Sequence, residues 1–150
     1  DICLDPVCGD GTSLVEAGMA FEPKLLLGGD ADLARLAAGR ALAAAASQSL
    51  RLAALQADAL PLAVDSVDKV LCDLRGKTPV PEQAQVVLAR YLTAFGRVLR
   101  PRRAAVVLVD DSRGMDRALS ECAESLTHLQ RVPVHLSGQK AWVCVLKRNG

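Results

Sequence analysis

The residues best suited to ligand binding lie near the start of the chain. Residues 5–12 read Asp-Pro-Val-Cys-Gly-Asp-Gly-Thr and follow an apolar run of strand length. Glycine has no Cβ, so the backbone at Gly9 and Gly11 can approach a bound molecule closely. A glycine-containing turn after the first strand is where a doubly wound α/β sheet binds its ligands. The segment therefore predicts a ligand-binding turn, with an ordinary strand-to-helix turn as the alternative.

Acidic residues end the next strands of the predicted sheet. Asp30 ends the second strand, where a carboxylate can accept hydrogen bonds from both hydroxyls of a ribose. Asp32 competes for that role, although the first turn of a helix also favours negative charge. Asp58 ends the third strand, where it could reach an adenine amino group, and Asp73 ends the fourth. Together with the glycine turn, these acids predict one site.

The elements that must position these residues alternate between strand-like and helix-like segments, which is typical of βαβ units around a parallel sheet. Strands are predicted over 2–7, 24–30, 50–57, 68–73 and 104–110, and helices over 13–20, 32–47, 81–99 and 112–126. Ser112 is the predicted cap of the last helix. Two final strands, 131–136 and 141–147, flank Ser137 and Gly138 and predict an antiparallel hairpin. The predicted fold is a doubly wound, Rossmann-like α/β sandwich, mostly parallel, with a C-terminal antiparallel hairpin.

The composition indicates one globular domain. The chain has 150 residues, of which 51% are hydrophobic and 23% charged. Aromatic residues make up only 3%, so the core must consist of Ala, Leu and Val. The net charge of +1 excludes a module that binds nucleic acid by bulk electrostatics alone. No apolar run reaches the ~18 residues of a membrane-spanning helix, so we expect no membrane association.

The five cysteines predict neither a metal site nor a disulfide framework. Their number is odd, no CxxC pair occurs, and only two histidines could assist them. We interpret them as reduced and mostly buried thiols. This usage favours an intracellular protein, either cytoplasmic or nuclear.

Two other nucleotide-binding motifs fit less well. The dinucleotide fingerprint GxGxxG needs glycine or alanine at the position of Leu14. Gly76, Lys77 and Thr78 imitate the end of a phosphate-binding P-loop, but Leu71 stands where its first glycine is required. A NAD-binding dehydrogenase domain therefore stays as a weaker alternative.

Residues 5–12, with Glu16 and Ala17 after them, resemble motif I of the S-adenosylmethionine-dependent methyltransferases. More narrowly, they resemble the THUMP-associated RNA guanine-N2 methyltransferases, whose pattern is D-P-x-C-G-x-G-T followed by E-A. The resemblance implies a methyltransferase domain over 1–150, without the upstream helix and THUMP domain of its relatives. It also implies a seven-stranded sheet whose last strand is antiparallel. It covers nearly the whole chain and continues at Asp30 and at residues 58–62, 66–68 and 97–101.

The resemblance implies which residues would bind the cofactor, S-adenosylmethionine. Gly9 and Gly11 would flank its methionine part, and Asp5 would help to hold its amino group. Asp30 would hold the ribose and Asp58 the adenine. The full predicted cofactor-binding set is Asp5, Cys8, Gly9, Gly11, Thr12, Asp30 and Asp58.

The segment after the fourth strand departs from the family. Active relatives carry Asp or Asn, one further residue, Pro, an aromatic residue and Gly, whereas residues 73–77 read Asp-Leu-Arg-Gly-Lys. The exocyclic amine of guanine is a poor nucleophile because its lone pair is delocalised, so the site must orient the nitrogen towards the methyl group. Asp73, as an acceptor of the amine's hydrogens, is the predicted catalytic residue. Arg75 could stack a base with its guanidinium plane.

These patterns favour methyl transfer from S-adenosylmethionine to RNA, with guanine N2 of a tRNA or another small RNA as the acceptor. The degraded segment after the fourth strand leaves a second hypothesis, a cofactor-binding pseudoenzyme or a structural partner subunit. The resemblance implies RNA captured with help from another domain, and a small zinc-binding activator subunit as a partner.

Four arginines cluster around Pro101. They could contact phosphate, but cations are also favoured at the C-terminus of a helix. We interpret them in the second way. The four are Arg97, Arg100, Arg102 and Arg103.

Overall fold

The computed structural model describes residues 1–76 and 81–150, which form seven strands and four helices. The strands are β1 (Ile2–Asp5), β2 (Leu25–Asp30), β3 (Leu50–Ala54), β4 (Val67–Asp73), β5 (Leu99–Val109), β6 (Leu126–Leu136) and β7 (Gln139–Arg148). The helices are α1 (Thr12–Phe21), α2 (Leu33–Ala45), α3 (Pro81–Val98) and α4 (Ser112–Glu121). Lys77 and Thr78 of the P-loop-like segment lie outside the described residues.

All seven strands join in one sheet with the order β3-β2-β1-β4-β5-β7-β6. The strands β1 to β5 are parallel, whereas β7 is antiparallel to β5 and β6 is antiparallel to β7. The predicted mostly parallel sheet with a C-terminal antiparallel hairpin is thus confirmed.

The strand order reverses between β1 and β4. From β1 the chain extends the sheet outwards through β2 and β3, and it then returns to add β4 on the other side. In an open α/β sheet, ligands bind outside the carboxyl ends of the strands at such a switch point. The loops that follow β1 and β4 are therefore the ones that build a site.

The helices cover the sheet in two layers, as the alternation of side chains along β1 shows. Leu4 belongs to the larger apolar cluster, where α3 and α4 pack with buried Phe95 and Met115. Cys3 points to the other face and joins the smaller cluster, in which α1 and α2 supply Leu14 and Leu36. The core is almost wholly aliphatic, as the composition predicted. No helix in the described part of the chain is long and apolar enough to cross a membrane.

All five cysteines are buried free thiols, which agrees with the burial expected from their sequence usage.

The start of α4 corrects one predicted cap. The N-cap is Asp111, whose Oδ1 accepts hydrogen bonds from the backbone N–H groups of Arg113 at 3.0 Å and Gly114 at 2.9 Å. The predicted cap at Ser112 is wrong by one residue, because the carboxylate satisfies the free N–H groups and also faces the positive end of the helix dipole. The helix ends at Glu121 rather than at 126, and Leu126 begins β6.

Strand β5 begins at Leu99, five residues before its predicted start at residue 104. The β4–β5 register runs from Val67↔Leu99 to Lys69↔Ala104, so β5 carries extra residues at this point. Arg102 takes a positive φ of 66° within this irregular stretch. Sequence periodicity could not locate this extension, because the arginine-rich segment has no strand pattern.

The arginine cluster serves the fold. Arg97, in the last turn of α3, donates hydrogen bonds to the carbonyl oxygens of Leu60 at 2.5 Å and Leu62 at 2.8 Å. Arg100 and Arg103 pair with the buried Asp68 carboxylate at 2.8 and 3.4 Å. These contacts hold the loop before β4 and the start of β5 in place. The sequence interpretation, that the arginines are cations favoured at the end of a helix, did not predict these partners.

Candidate functional site

A polar cleft of about 590 Å³ opens at the switch point of the sheet. Its walls come from the turn after β1, the loop after β4 and the first turn of α2. Its volume lies within the range of roughly 300–1,000 Å³ found for small-molecule sites. Of the residues predicted from the sequence, the cleft brings together Asp5, Cys8, Gly9 and Asp73.

The turn after β1 depends on two glycines with positive φ, Gly9 at 57° and Gly11 at 76°. The backbone N–H of Gly11 donates to the Cys8 carbonyl, and the N–H of Cys8 donates to the Gly29 carbonyl, both at 2.8 Å. These bonds fix the turn to the end of β2. The nearest atom to a Cβ built on Gly9 would be Nη1 of Arg35 at 3.6 Å, so the backbone of Gly9 faces open space in the cleft.

Asp30 supports this turn from behind. Its side chain is buried, and its Oδ2 accepts a hydrogen bond from the N–H of Gly9 at 2.9 Å. Its Oδ1 accepts from the N–H of Asp32, also at 2.9 Å. Each carboxylate oxygen has a second lone pair, so ribose hydroxyls could still donate to Asp30. No sequence pattern predicted that Asp30 also organises the glycine turn.

Asp58 is paired with α3. Its Oδ2 lies 2.5 Å from Nη2 of Arg90. The Asp58 side chain is 20% exposed, whereas that of Arg90 is 66% exposed. The lining of the cleft does not include Asp58, so a ligand would have to extend beyond the cleft to reach it.

The charged residues Asp10 and Arg35, which were not predicted as site residues, also line the cleft. The Asp10 carboxylate accepts hydrogen bonds from the hydroxyl of Thr12 at 2.8 Å and from its N–H at 3.2 Å. These bonds hold the pKa of Asp10 below its usual value, so it is ionised at neutral pH. Arg35 follows the α2 N-cap Asp32 by three residues, and its Nε lies 3.6 Å from Asp32 Oδ2. Asp10 could have been predicted from the sequence, because it lies between the two glycines of the turn.

The Cys8 thiol lines the cleft but is not a reactive group. It is buried beneath the turn, and burial together with the nearby carboxylate of Asp5 raises its pKa to about 12. A thiol with that pKa stays protonated at neutral pH and is a poor nucleophile.

The loop after β4 places Asp73 in the cleft in contact with Arg75. The guanidinium binds the carboxylate as a fork, with Nε 3.0 Å from Oδ1 and Nη2 2.7 Å from Oδ2. The backbone N–H of Arg75 donates to the same Oδ1 at 3.1 Å. These hydrogen bonds raise the pKa of the Arg75 guanidinium. The N–H of Gly76 donates to Asp110 Oδ2 at 3.1 Å, which ties the loop to the end of β5.

No protein-family model and no curated protein sequence matches the chain. Among solved structures, TrmN from Thermus thermophilus superimposes with a TM-score of 0.87 and 26% identity. That match covers 98% of this chain and 43% of TrmN, so this chain spans less than half of the TrmN chain.

Two further structures superimpose over the whole of this chain. One is an S-adenosylmethionine-dependent methyltransferase from Clostridium acetobutylicum, with a TM-score of 0.82, 13% identity and 85% of that chain covered. The other is a complex between a methyltransferase activator of Haloferax volcanii and a methyltransferase, with a TM-score of 0.77, 14% identity and 82% of the matched chain covered. The chain therefore has the doubly wound, Rossmann-like fold of these methyltransferases.

Proposed function

We propose that residues 1–150 form a methyltransferase domain that binds S-adenosylmethionine in the cleft and methylates RNA at guanine N2. The observation that carries the proposal is the cleft at the switch point. There an open glycine turn lies beside the carboxylates of Asp5, Asp10 and Asp73. The fold shared with known methyltransferases supports the reaction. The resemblance of residues 5–12 to RNA guanine-N2 methyltransferases supports the acceptor.

The residues of the cleft fit the cofactor, which supplies an electrophilic methyl group on a sulfonium. The cofactor carries two cationic groups and one carboxylate, and the cleft offers Asp5 and Asp10 for the cations and Arg35 for the carboxylate. Gly9 leaves the backbone accessible beside them. Asp30 would bind the ribose with its remaining lone pairs, and Asp58 would contact the adenine.

Asp73 would act on the acceptor. A carboxylate that accepts an N–H of the exocyclic amine orients the nitrogen lone pair and can take the proton released on transfer. The residue stands at the carboxyl end of β4, next to β1, and so shares the cleft with the glycine turn. This position gives Asp73 access to an acceptor placed beside the cofactor.

A partner would supply the affinity for RNA that residues 1–150 lack. A net charge of +1 gives little long-range attraction to RNA, so capture would require another domain or subunit. A small activator subunit, of the zinc-binding kind implied by the sequence resemblance, would be one such partner. The activator complex from Haloferax volcanii supports this proposal.

One observation favours a second function, that of a cofactor-binding pseudoenzyme or structural partner. Both oxygens of Asp73 accept hydrogen bonds from Arg75, so the group proposed to receive the acceptor is already engaged. In this alternative the cleft would bind the cofactor without turnover.

The proposal is tested by calorimetric titration of the purified chain with S-adenosylmethionine, S-adenosylhomocysteine and NADH. We expect the first two to bind and NADH not to bind. Binding of NADH alone would favour a dehydrogenase domain. If none of the three ligands binds, the proposal that the cleft binds S-adenosylmethionine is contradicted. Incubation of total RNA with labelled S-adenosylmethionine then separates the enzyme, which labels RNA, from the pseudoenzyme, which does not.

A further inference from the structure

The Asp73–Arg75 pair is formed between residues only two positions apart. Nε and Nη2 of Arg75 both donate to the carboxylate, and the backbone N–H of Arg75 adds a further hydrogen bond. Within the part of the chain that the structure describes, Nη1 of Arg75 donates no hydrogen bond. The guanidinium therefore lies in the cleft with one of its nitrogens available to a ligand.

This pair competes with the proposed acceptor. The amine that Asp73 would receive has to share or replace the fork made by Arg75, because the fork engages both carboxylate oxygens. The side chain of Arg75 is 33% exposed and that of Asp73 is 42% exposed. Both side chains are thus accessible to solvent and to a ligand, so the fork can be exchanged for another partner.

A phosphate is the group best suited to that exchange. Guanidinium binds phosphate with the same two-pronged geometry that it uses for a carboxylate. An acceptor that presents both a phosphate and an amine gives Arg75 a new anion and gives Asp73 a new donor. A neutral nucleoside gives Asp73 a donor but leaves the arginine without an anion.

We propose that Arg75 is a specificity-determining residue: a phosphate of the acceptor takes its guanidinium, and the amine of the acceptor takes the place of the guanidinium on the Asp73 carboxylate. The inference rests on the proposed function and assigns to Arg75 the recognition of a phosphate of the RNA acceptor. Arg35, the other cation that lines the cleft, lies near the glycine turn and is placed to serve the cofactor instead.

The test compares guanosine 5′-monophosphate with guanosine by calorimetric titration into the chain loaded with S-adenosylhomocysteine. We expect the phosphorylated probe to bind the wild-type chain about tenfold more tightly, in line with a charge-assisted hydrogen-bonded pair. In Arg75→Gln this preference should fall to within about twofold, because glutamine cannot pair with phosphate as an ion. The control Arg117→Gln removes the same charge from an exposed position on α4 and should keep the preference.

A second variant separates the two partners. In Asp73→Asn, Arg75 loses its carboxylate but keeps its charge, so the preference for the phosphorylated probe should persist or increase. Equal binding of the two probes by the wild-type chain, or a preference retained in Arg75→Gln, would overturn the proposal. Absence of nucleotide binding at millimolar concentration would also overturn it. Failure of S-adenosylhomocysteine to bind would instead refute the proposed function, and the inference with it, before any nucleotide is added.

Discussion

The buried carboxylate of Asp30 accepts a hydrogen bond from the backbone N–H of Gly9 at 2.9 Å, which connects the end of β2 with the turn after β1. Asp30 ends β2, and Gly9 lies in the turn after β1. The other carboxylate oxygen of Asp30 accepts a hydrogen bond from the backbone N–H of Asp32, the N-cap of α2. One side chain thus sets the position of the glycine turn relative to the first turn of α2. The shape of the cleft depends on this contact as much as on the glycines.

Replacing Asp30 with alanine should therefore lower stability as well as cofactor affinity. Two backbone N–H groups would lose a charged acceptor in a buried place, and we expect a loss of about 2–4 kcal/mol in the free energy of unfolding. Urea denaturation measures this loss, and titration with S-adenosylhomocysteine measures the affinity. Asp32→Ala is the matched control, because it removes an exposed N-cap worth about 1 kcal/mol. If Asp30→Ala loses no more free energy of unfolding than the control, Asp30 does not stabilise the glycine turn.

A comparison of two glycines with positive φ, Gly9 and Gly138, allows backbone strain and ligand binding to be separated. Gly9 has a φ of 57° and faces the cleft, whereas Gly138 has a φ of 77° in the β6–β7 turn with no atom near its missing Cβ. Alanine at either position should cost roughly 1–2 kcal/mol of stability, since it must adopt the left-handed conformation. Only Gly9→Ala should also weaken binding of S-adenosylhomocysteine, by tenfold or about that much, because its Cβ enters the cleft. Thermal unfolding and calorimetry give the two readouts, and equal affinity of both variants would count against the cleft as the binding site.

The fold was predictable from the sequence because its signals are local. Apolar runs of strand length alternate with helical spacing, and glycines mark the turn where β1 meets α1. The partners of the site carboxylates were not predictable, because they depend on side chains brought together by packing. Asp58 pairs with Arg90 on a helix far along the chain. Asp73 and Arg75 are close in sequence, but their spacing alone does not show that the two side chains pair in the loop.

Asp68 predicts an acid-sensitive component of stability. This buried carboxylate accepts hydrogen bonds from Arg100 and from the N–H of Ile2, and these contacts hold its pKa below its usual value. A lowered folded-state pKa stabilises the fold above the unfolded pKa of about 3.9, and the contribution disappears as pH falls through the folded pKa. Asp68→Asn should therefore lower the free energy of unfolding by roughly 2 kcal/mol at pH 7. Between pH 5 and 2 the stability of this variant should decline less than that of the wild type, because about one titrating group has been removed.

Urea denaturation at a series of pH values measures this difference. Glu124→Gln, an exposed substitution that also removes one carboxylate, should leave both the stability at pH 7 and its decline in acid close to those of the wild type. If Asp68→Asn follows the same curve as this control, the pairing of Asp68 with the β5 arginines contributes nothing to stability.

The role proposed for Asp73 predicts that its removal abolishes methyl transfer. Asp73 ends β4, and its carboxylate lies in the same cleft as the glycine turn, where we expect it to accept an N–H of the acceptor. Asp73→Ala should reduce methylation of RNA by roughly 10²–10⁴-fold, the range for a positioned acid or base, while S-adenosylmethionine binding changes little. Labelled methyl transfer to total RNA and calorimetry measure the two effects. Asp65→Asn, on the loop before β4, is the matched control for the loss of one negative charge and should methylate RNA at the wild-type rate. Equal transfer by Asp73→Ala and the wild-type chain would remove Asp73 from the reaction, and the acceptor would then have to be oriented by another group in the cleft.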